Sequence, residues 1–256
     1  MSAALLLVMP PGAARDELEG LLVDRGCAVA CAQASDVAAA IDALPELDAV
    51  VHLPAENPFE GVQRLSAGEA GLVAAAAARA GARLVFCSSV LLYADGGDLE
   101  LMANDPELDP PDALIPLAEA ELDVFGSRAE VVVLRLGIAL ASGGSHAATL
   151  SAAVGDSGLR GGVHLPLLDR VTLADAIAAV APSSLHGGWD VVSAVATLGE
   201  ICSWLGTRGV PAAGACDPDE LEATWQVSRL VTGAALRETG AVTAGEWQSI
   251  VESALA

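Results

Sequence analysis

Two adjacent serines and a tyrosine, Ser88, Ser89 and Tyr93, close the apolar run Leu84 to Cys87 in the stretch G-A-R-L-V-F-C-S-S-V-L-L-Y-A-D-G-G-D at 81–98. A short apolar run bounded by a turn predicts a buried strand, and the carboxyl end of such a strand is where an open α/β sheet binds ligands. A hydroxyl there can hold a substrate oxygen. A phenol can exchange a proton if its pKa is brought down from ~10. Glu119 and Glu121 on the following helix and His52 at the end of an earlier strand are the other groups that could work beside Ser89; the glutamates read first as a solvated helix face. His146, His164 and His186 are far apart and lack flanking acids, and the five cysteines have no metal-ligand spacing, so no metal site is predicted.

The elements that must position these groups alternate. Ala4 to Met9 is an apolar run stopped by Pro10, Pro11 and Gly12, and 16–25 carries Leu18, Leu21 and Leu22 at helical spacing before Gly26. A second strand is predicted over 27–32, a helix capped by Ser35 through Leu44, a third strand over 48–53, and an Ala-rich helix over 67–80 leading into the serine-bearing strand. After an acidic, Pro-rich loop at 99–111 come a helix at 113–125 and a strand at 130–136. Gly and Ser are enriched over 141–162, a crossover; a strand at 189–193 and helices at 198–205 and 245–255 complete the chain. Alternation with short connections predicts an α/β fold, a Rossmann-like doubly wound parallel sheet with a small C-terminal substrate-type subdomain. Residues 1–140 form the Rossmann-like domain. Residues 141–256 hold the subdomain and the elements returning to the sheet.

Composition narrows the function classes. The formal net charge of −22 repels nucleic acid and anionic membranes, so neither is expected as a partner. No apolar run approaches the ~18 residues of a membrane span, the N-terminus opens directly on a strand-like segment, and the odd set of cysteines fits free thiols, which together predict a cytoplasmic protein. Trp189, Trp204, Trp225 and Trp247 read as core or interface anchors. All 12 basic residues are arginine; the sequence contains no lysine.

Four stretches, D-A-V-V-H-L-P-A at 48–55, the serine loop at 81–94, V-V-V-L-R-L-G at 131–137 and V-T-L-A-D-A-I at 171–177, occur in an order that resembles the extended short-chain dehydrogenase/reductase family, the NAD-dependent epimerases and dehydratases, over nearly the whole chain. The resemblance implies a Rossmann half for NAD(P), a smaller carboxyl-terminal part for substrate, a structural role for His52, and a strand-to-helix segment at 171–180 with an aspartate, here Asp175, near its middle. The family's cofactor turn is T-G-x-x-G-x-x-G, whose glycines let the backbone approach a pyrophosphate. Here the turn reads M-P-P-G-A-A-R-D: Gly12 matches the middle glycine, Pro10 replaces the first and Arg15 the last. Asp16 and Glu17 then oppose a pyrophosphate by about 4 kcal/mol per pair at ~4 Å and an effective dielectric near 20. Ala32 and Gln33 stand where an acid would hold the ribose, with Asp36 beyond.

The resemblance also implies a catalytic Tyr-x-x-x-Lys on the helix after the serine loop. Aligning Glu121 with the family's acidic position puts Ala113 at the tyrosine and Leu117 at the lysine, and Leu65 or Ser66 replaces an asparagine. Tyr93, the one tyrosine, already fills the serine-loop position. Of the usual four groups only a vestigial Ser89 remains, so the expected protein is a non-catalytic member that binds a protein partner or small ligand. Gly12, Arg15, Ser88 and Ser89 are the remaining cofactor contacts, and no bound cofactor is expected. An enzyme of changed chemistry and a sensor of NAD or NADP are the alternatives. The Ala-rich helix, with Ala74, Ala75 and Ala78, and the helix at 113–125 are the surfaces on which the family pairs, implying a homodimer or a heterodimer with an active paralogue.

Overall fold

In a computed structural model, residues 3–44, 46–54, 68–103, 107–140, 162–208 and 227–255 are described. Six strands form one parallel sheet: β1 (Ala4–Val8), β2 (Ala28–Ala32), β3 (Ala49–His52), β4 (Arg83–Ser89), β5 (Glu130–Leu136) and β8 (Gly187–Val191), in the order β2-β1-β3-β4-β5-β8. The central strands are continuous apolar runs because both faces are covered. On one face Leu5, Leu7, Val51, Val85 and Leu134 pack with Leu18 and Leu22 of α1 (Ala13–Asp24) and with Leu173 and Ile177 of α5 (Arg170–Val180). On the other, Leu6, Val8, Val50, Phe86 and Val133 meet α2 (Val37–Asp42), α3 (Glu69–Ala80) and α4 (Ile115–Phe125). This is the doubly wound α/β architecture that the alternating pattern predicts.

A second, three-stranded sheet joins β6 (Ile138–Ala139), β7 (His164–Leu168) and β9 (Ala194–Thr197), β7 pairing parallel with β6 and antiparallel with β9. Its core includes α6 (Leu198–Thr207) and α8 (Trp247–Leu255). A short α7 (Ala234–Glu238) lies against β8. Between the two sheets, Gly137 passes so close to β7 that a Cβ would stand 2.8 Å from the Pro166 carbonyl oxygen. The glycine ending V-V-V-L-R-L-G is therefore a packing requirement.

Several boundaries differ from the sequence expectation. Cys27 precedes β2, whose pairing with β1 begins at Ala28. Ser35 lies in a 3-10 turn, Ala34–Asp36, and its hydroxyl does not cap α2. The helix expected from Ala113 begins as a separate turn, Asp112–Leu114, with Pro116 in the first turn of α4. The segment 171–180 is wholly helical: Asp169 caps it, accepting from the Thr172 amide at 2.7 Å, and the strand lies upstream as β7. The β-branched Val171 and Thr172 imitate a strand, but the cap decides. Within α5, Asp175 bonds Arg25 Nε at 2.5 Å, fastening α5 to the end of α1. The expectations for Ala67, Leu65, Ser66, His146, Cys216, Trp225 and the 141–161 crossover fall outside the described residues.

Candidate functional site

Parallel pairing places Ser88 of β4, Arg135 of β5 and Asp190 of β8 in one row across the sheet, Ser88 opposite Arg135 and Arg135 opposite Asp190. Side chains in register on adjacent strands share a face, here the face covered by α4. Glu121 reaches the row from above. The buried residues of α4 are Leu117, Ala120, Glu121 and Val124, a single helical stripe with a carboxylate in it. Glu121 is 3% exposed, which corrects the expectation of a solvated face; Glu119, one turn position away, is exposed. The carboxylate chelates Arg135: Nε donates to Oε1 at 3.1 Å and Oε2 at 3.2 Å, and Nη2 donates to Oε1.

Tyr93 completes the group. After β4 the chain makes a 3-10 turn, Val90–Leu92, closed by Ser89 Oγ accepting from the Leu91 amide at 3.1 Å. Arg229, 2% exposed, donates to the carbonyls of Tyr93 at 3.0 Å and Leu91 at 3.2 Å and pins the turn in place. The Tyr93 hydroxyl, fully buried, donates to Asp190 Oδ1 at 2.6 Å and accepts from Arg135 Nη1 at 3.1 Å. The guanidinium carbon lies 5.4 Å from the Tyr93 ring centroid. Burial and then the Asp190 carboxylate push the phenol pKa well above its ordinary value. Burial opposes the charge on Arg135, but its hydrogen bond to Glu121 and its contacts with Tyr93 outweigh that and hold it more firmly protonated. Burial raises the Asp190 carboxyl to about 6.

The predicted catalytic positions present different chemistry. Ala113 is exposed in the turn before α4, and Leu117, at the lysine position, is 1% exposed in the core against α3. Arg135 works to lower the phenol pKa, but among the described residues burial and the Asp190 carboxylate outweigh it. Ser89 is occupied as a turn cap, and Ser88 Oγ is buried without a hydrogen-bond partner among the described residues. His52 is fully buried, its Nε2 3.3 Å from Glu69 at the start of α3 and its ring 5.5 Å from Phe86. It ties β3 to α3, one register row below Ser88. His164 approaches Ser228, and His186 lies at the exposed end of β8.

At the cofactor turn, Gly12 is exposed and Arg15 turns to Asp16 at 3.6 Å, with its Nε buried and unpartnered among the described residues. The cleft between the ends of β1 and β2 is about 240 Å³, lined by Met9, Pro10, Gln33, Ala34, Ser35 and Glu69. Pro10 offers no N–H, and Glu69 and Asp16 are anionic. These residues do not fit a dinucleotide pyrophosphate. Gly12 and Arg15 follow β1 while Ser88 and Ser89 end β4, with β3 between the two strands.

Arg135 and Asp190 escaped the sequence expectation. The available signal was a charge inside each of two buried strands, V-V-V-L-R-L and W-D-V-V, together with a glutamate on the apolar stripe of α4.

No family model and no curated protein sequence matches the chain. Solved structures do. The enzyme WbmG of Bordetella bronchiseptica in complex with NAD superposes with a TM-score of 0.74 at 16% identity, covering 99% of this chain and 93% of that one. A dTDP-4-dehydrorhamnose reductase from Bacillus anthracis in complex with NADP gives 0.72 at 14% identity, covering 98% of each chain. The UDP-glucose 4-epimerase of Thermus thermophilus in complex with NAD gives 0.70 at 17% identity, covering 97% and 98%. At such identities the likeness establishes the fold that these enzymes share, over nearly the whole chain.

Proposed function

We propose that this protein is a non-catalytic member of the extended short-chain dehydrogenase/reductase family that acts by binding rather than by hydride transfer. The observation carrying the proposal is the state of Tyr93. The hydroxyl of the sole tyrosine donates a hydrogen bond to a buried carboxylate, keeps its proton and is driven away from the phenolate, the reverse of what a general base needs. Leu117 in the core at the lysine position and the proline-bearing turn support the same reading. Under it neither NAD nor NADP is bound. The solved relatives that carry those cofactors make a dinucleotide sensor the second reading. Purified protein mixed with NADH or NADPH and a panel of 4-keto nucleotide sugars is expected to give no loss of nicotinamide absorbance; turnover abolished by Ser89→Ala would overturn the proposal in favour of changed chemistry.

The binding role includes self-association. Leu72 on α3 and Ile115 and Leu122 on α4 are 64%, 42% and 68% exposed, and beside them runs a groove lined by Gly71, Ala75 and Ala78. Ala74 lines the same groove at its buried floor. A second copy packed on this face accounts for the exposed apolar residues; a heterodimer with an active paralogue is the competing outcome of a native mass measurement. Free Cys27, Cys31, Cys87 and Cys202 support a cytoplasmic setting. Among the described residues no helix is long and apolar enough to cross a membrane.

A further inference from the structure

The buried group around Arg135 is not electrically balanced. Glu121 and Asp190 supply two carboxylates and Arg135 one guanidinium. Glu121 takes Nε and Nη2, and Nη1 donates to the Tyr93 hydroxyl and, at 3.1 Å, to the Ala103 carbonyl. Among the described residues Asp190, 7% exposed, is bonded by neutral donors, the Tyr93 hydroxyl and the Ala103 backbone amide. A buried carboxylate without a direct cationic partner is costly, and the carboxyl rises to about 6 in response.

Asp190 also lines a cavity of about 570 Å³ at the open edge of the sheet, within the size range of small-molecule sites. Its walls include Leu101, Met102, Phe125 and Arg135, and its rim carries Glu100, hydrogen-bonded by the Thr232 hydroxyl, and His186. Met102 and Phe125 are 56% and 42% exposed. Gly188 keeps the floor open beside the guanidinium, since a Cβ there would stand 3.2 Å from Arg135 Nη1. None of Gly12, Arg15, Ser88 and Ser89 lines this cavity.

We infer that this cavity is a binding site for a small ring-bearing ammonium compound, whose cationic head is held at Asp190 with Glu100 at the rim and whose apolar body covers Phe125, Leu101 and Met102. Such a cation brings the buried charges of the Glu121–Arg135–Asp190 group to two against two among the described residues, and the Phe125 ring favours it further. The site is independent of the cofactor turn, so its failure would leave the non-catalytic reading untouched.

The test is calorimetric titration of the full chain at neutral pH with phenethylammonium, 2-phenylethanol and 3-phenylpropionate. The ammonium is expected to bind at least roughly tenfold more tightly than the alcohol, with no binding of the carboxylate, and Asp190→Asn to weaken the ammonium by roughly tenfold or more. Glu100→Gln, an exposed change that leaves the core intact, is expected to weaken it by a smaller factor. Equal binding of the alcohol, preference for the carboxylate, affinity unchanged in Asp190→Asn, or no binding of the ammonium would each overturn the inference.

Discussion

The Tyr93 hydroxyl donates a 2.6 Å hydrogen bond to Asp190, so the only phenol in the protein is committed to a carboxylate 97 residues away. Because no other tyrosine contributes, phenolate absorbance reports Tyr93 alone. Its titration is expected to show no phenolate at pH ~10 while the fold persists. A midpoint at or below pH ~10 in folded protein would mean that the phenol is activated. Tyr93→Phe is expected to cost about 2 kcal/mol in urea unfolding, the loss of a bond to a buried carboxylate.

Asp190 ties stability to pH. Its carboxyl lies near 6 in the folded chain against 3.8 ordinarily, so the folded state binds the proton more tightly. The stabilisation is complete below pH ~4 and is lost as the pH rises through ~6, a swing of about 3 kcal/mol. Glu200, whose carboxyl is held below its usual range by the Thr197 cap, acts in the opposite direction, so the difference between wild type and Asp190→Asn is the quantity to measure. That difference is expected to move in favour of the variant from pH ~4 to ~7.

The Glu121–Arg135 pair is buried on both sides. Removing one partner strands the other, and either Glu121→Ala or Arg135→Ala is expected to cost about 3–5 kcal/mol. The double replacement Glu121→Leu with Arg135→Met is expected to be less damaging than either single change, because neither member of the pair is left stranded. Denaturant unfolding of the three variants checks this; additive losses would contradict it.

Gly137→Ala places a methyl 2.8 Å from the Pro166 carbonyl oxygen, a backbone atom. A loss of about 1–3 kcal/mol is expected from overpacking, together with a change in near-ultraviolet circular dichroism from the Trp204–Trp247 pair in the second core.

Much of the fold was legible because β1, β3, β4 and β5 are buried on both faces, which leaves unbroken apolar runs such as L-L-L-V and V-V-V-L in the sequence. Short connections then force parallel crossovers. The 171–180 segment misled because the family resemblance implied a strand at its start, whereas the cap that begins the helix, Asp169, lies just upstream of it. The site was half legible. Loss of lysine and of the second tyrosine is a matter of composition, whereas the Glu121–Arg135–Tyr93–Asp190 group joins residues from four elements and exists only after the sheet is built. Glu121 read as surface because the exposed Glu119 and Asp123 flank it in sequence, while its position on the Leu117–Val124 stripe is visible only by helical spacing.

We propose that this chain keeps the fold of the NAD- and NADP-bound enzymes it resembles without their dinucleotide chemistry. Calorimetric titration of the purified protein with NAD, NADH, NADP and NADPH tests it most directly. The account predicts no binding heat for any of the four at micromolar to millimolar ligand. Saturable micromolar binding of one of them, weakened by replacing Arg15 or Ser89, would contradict it.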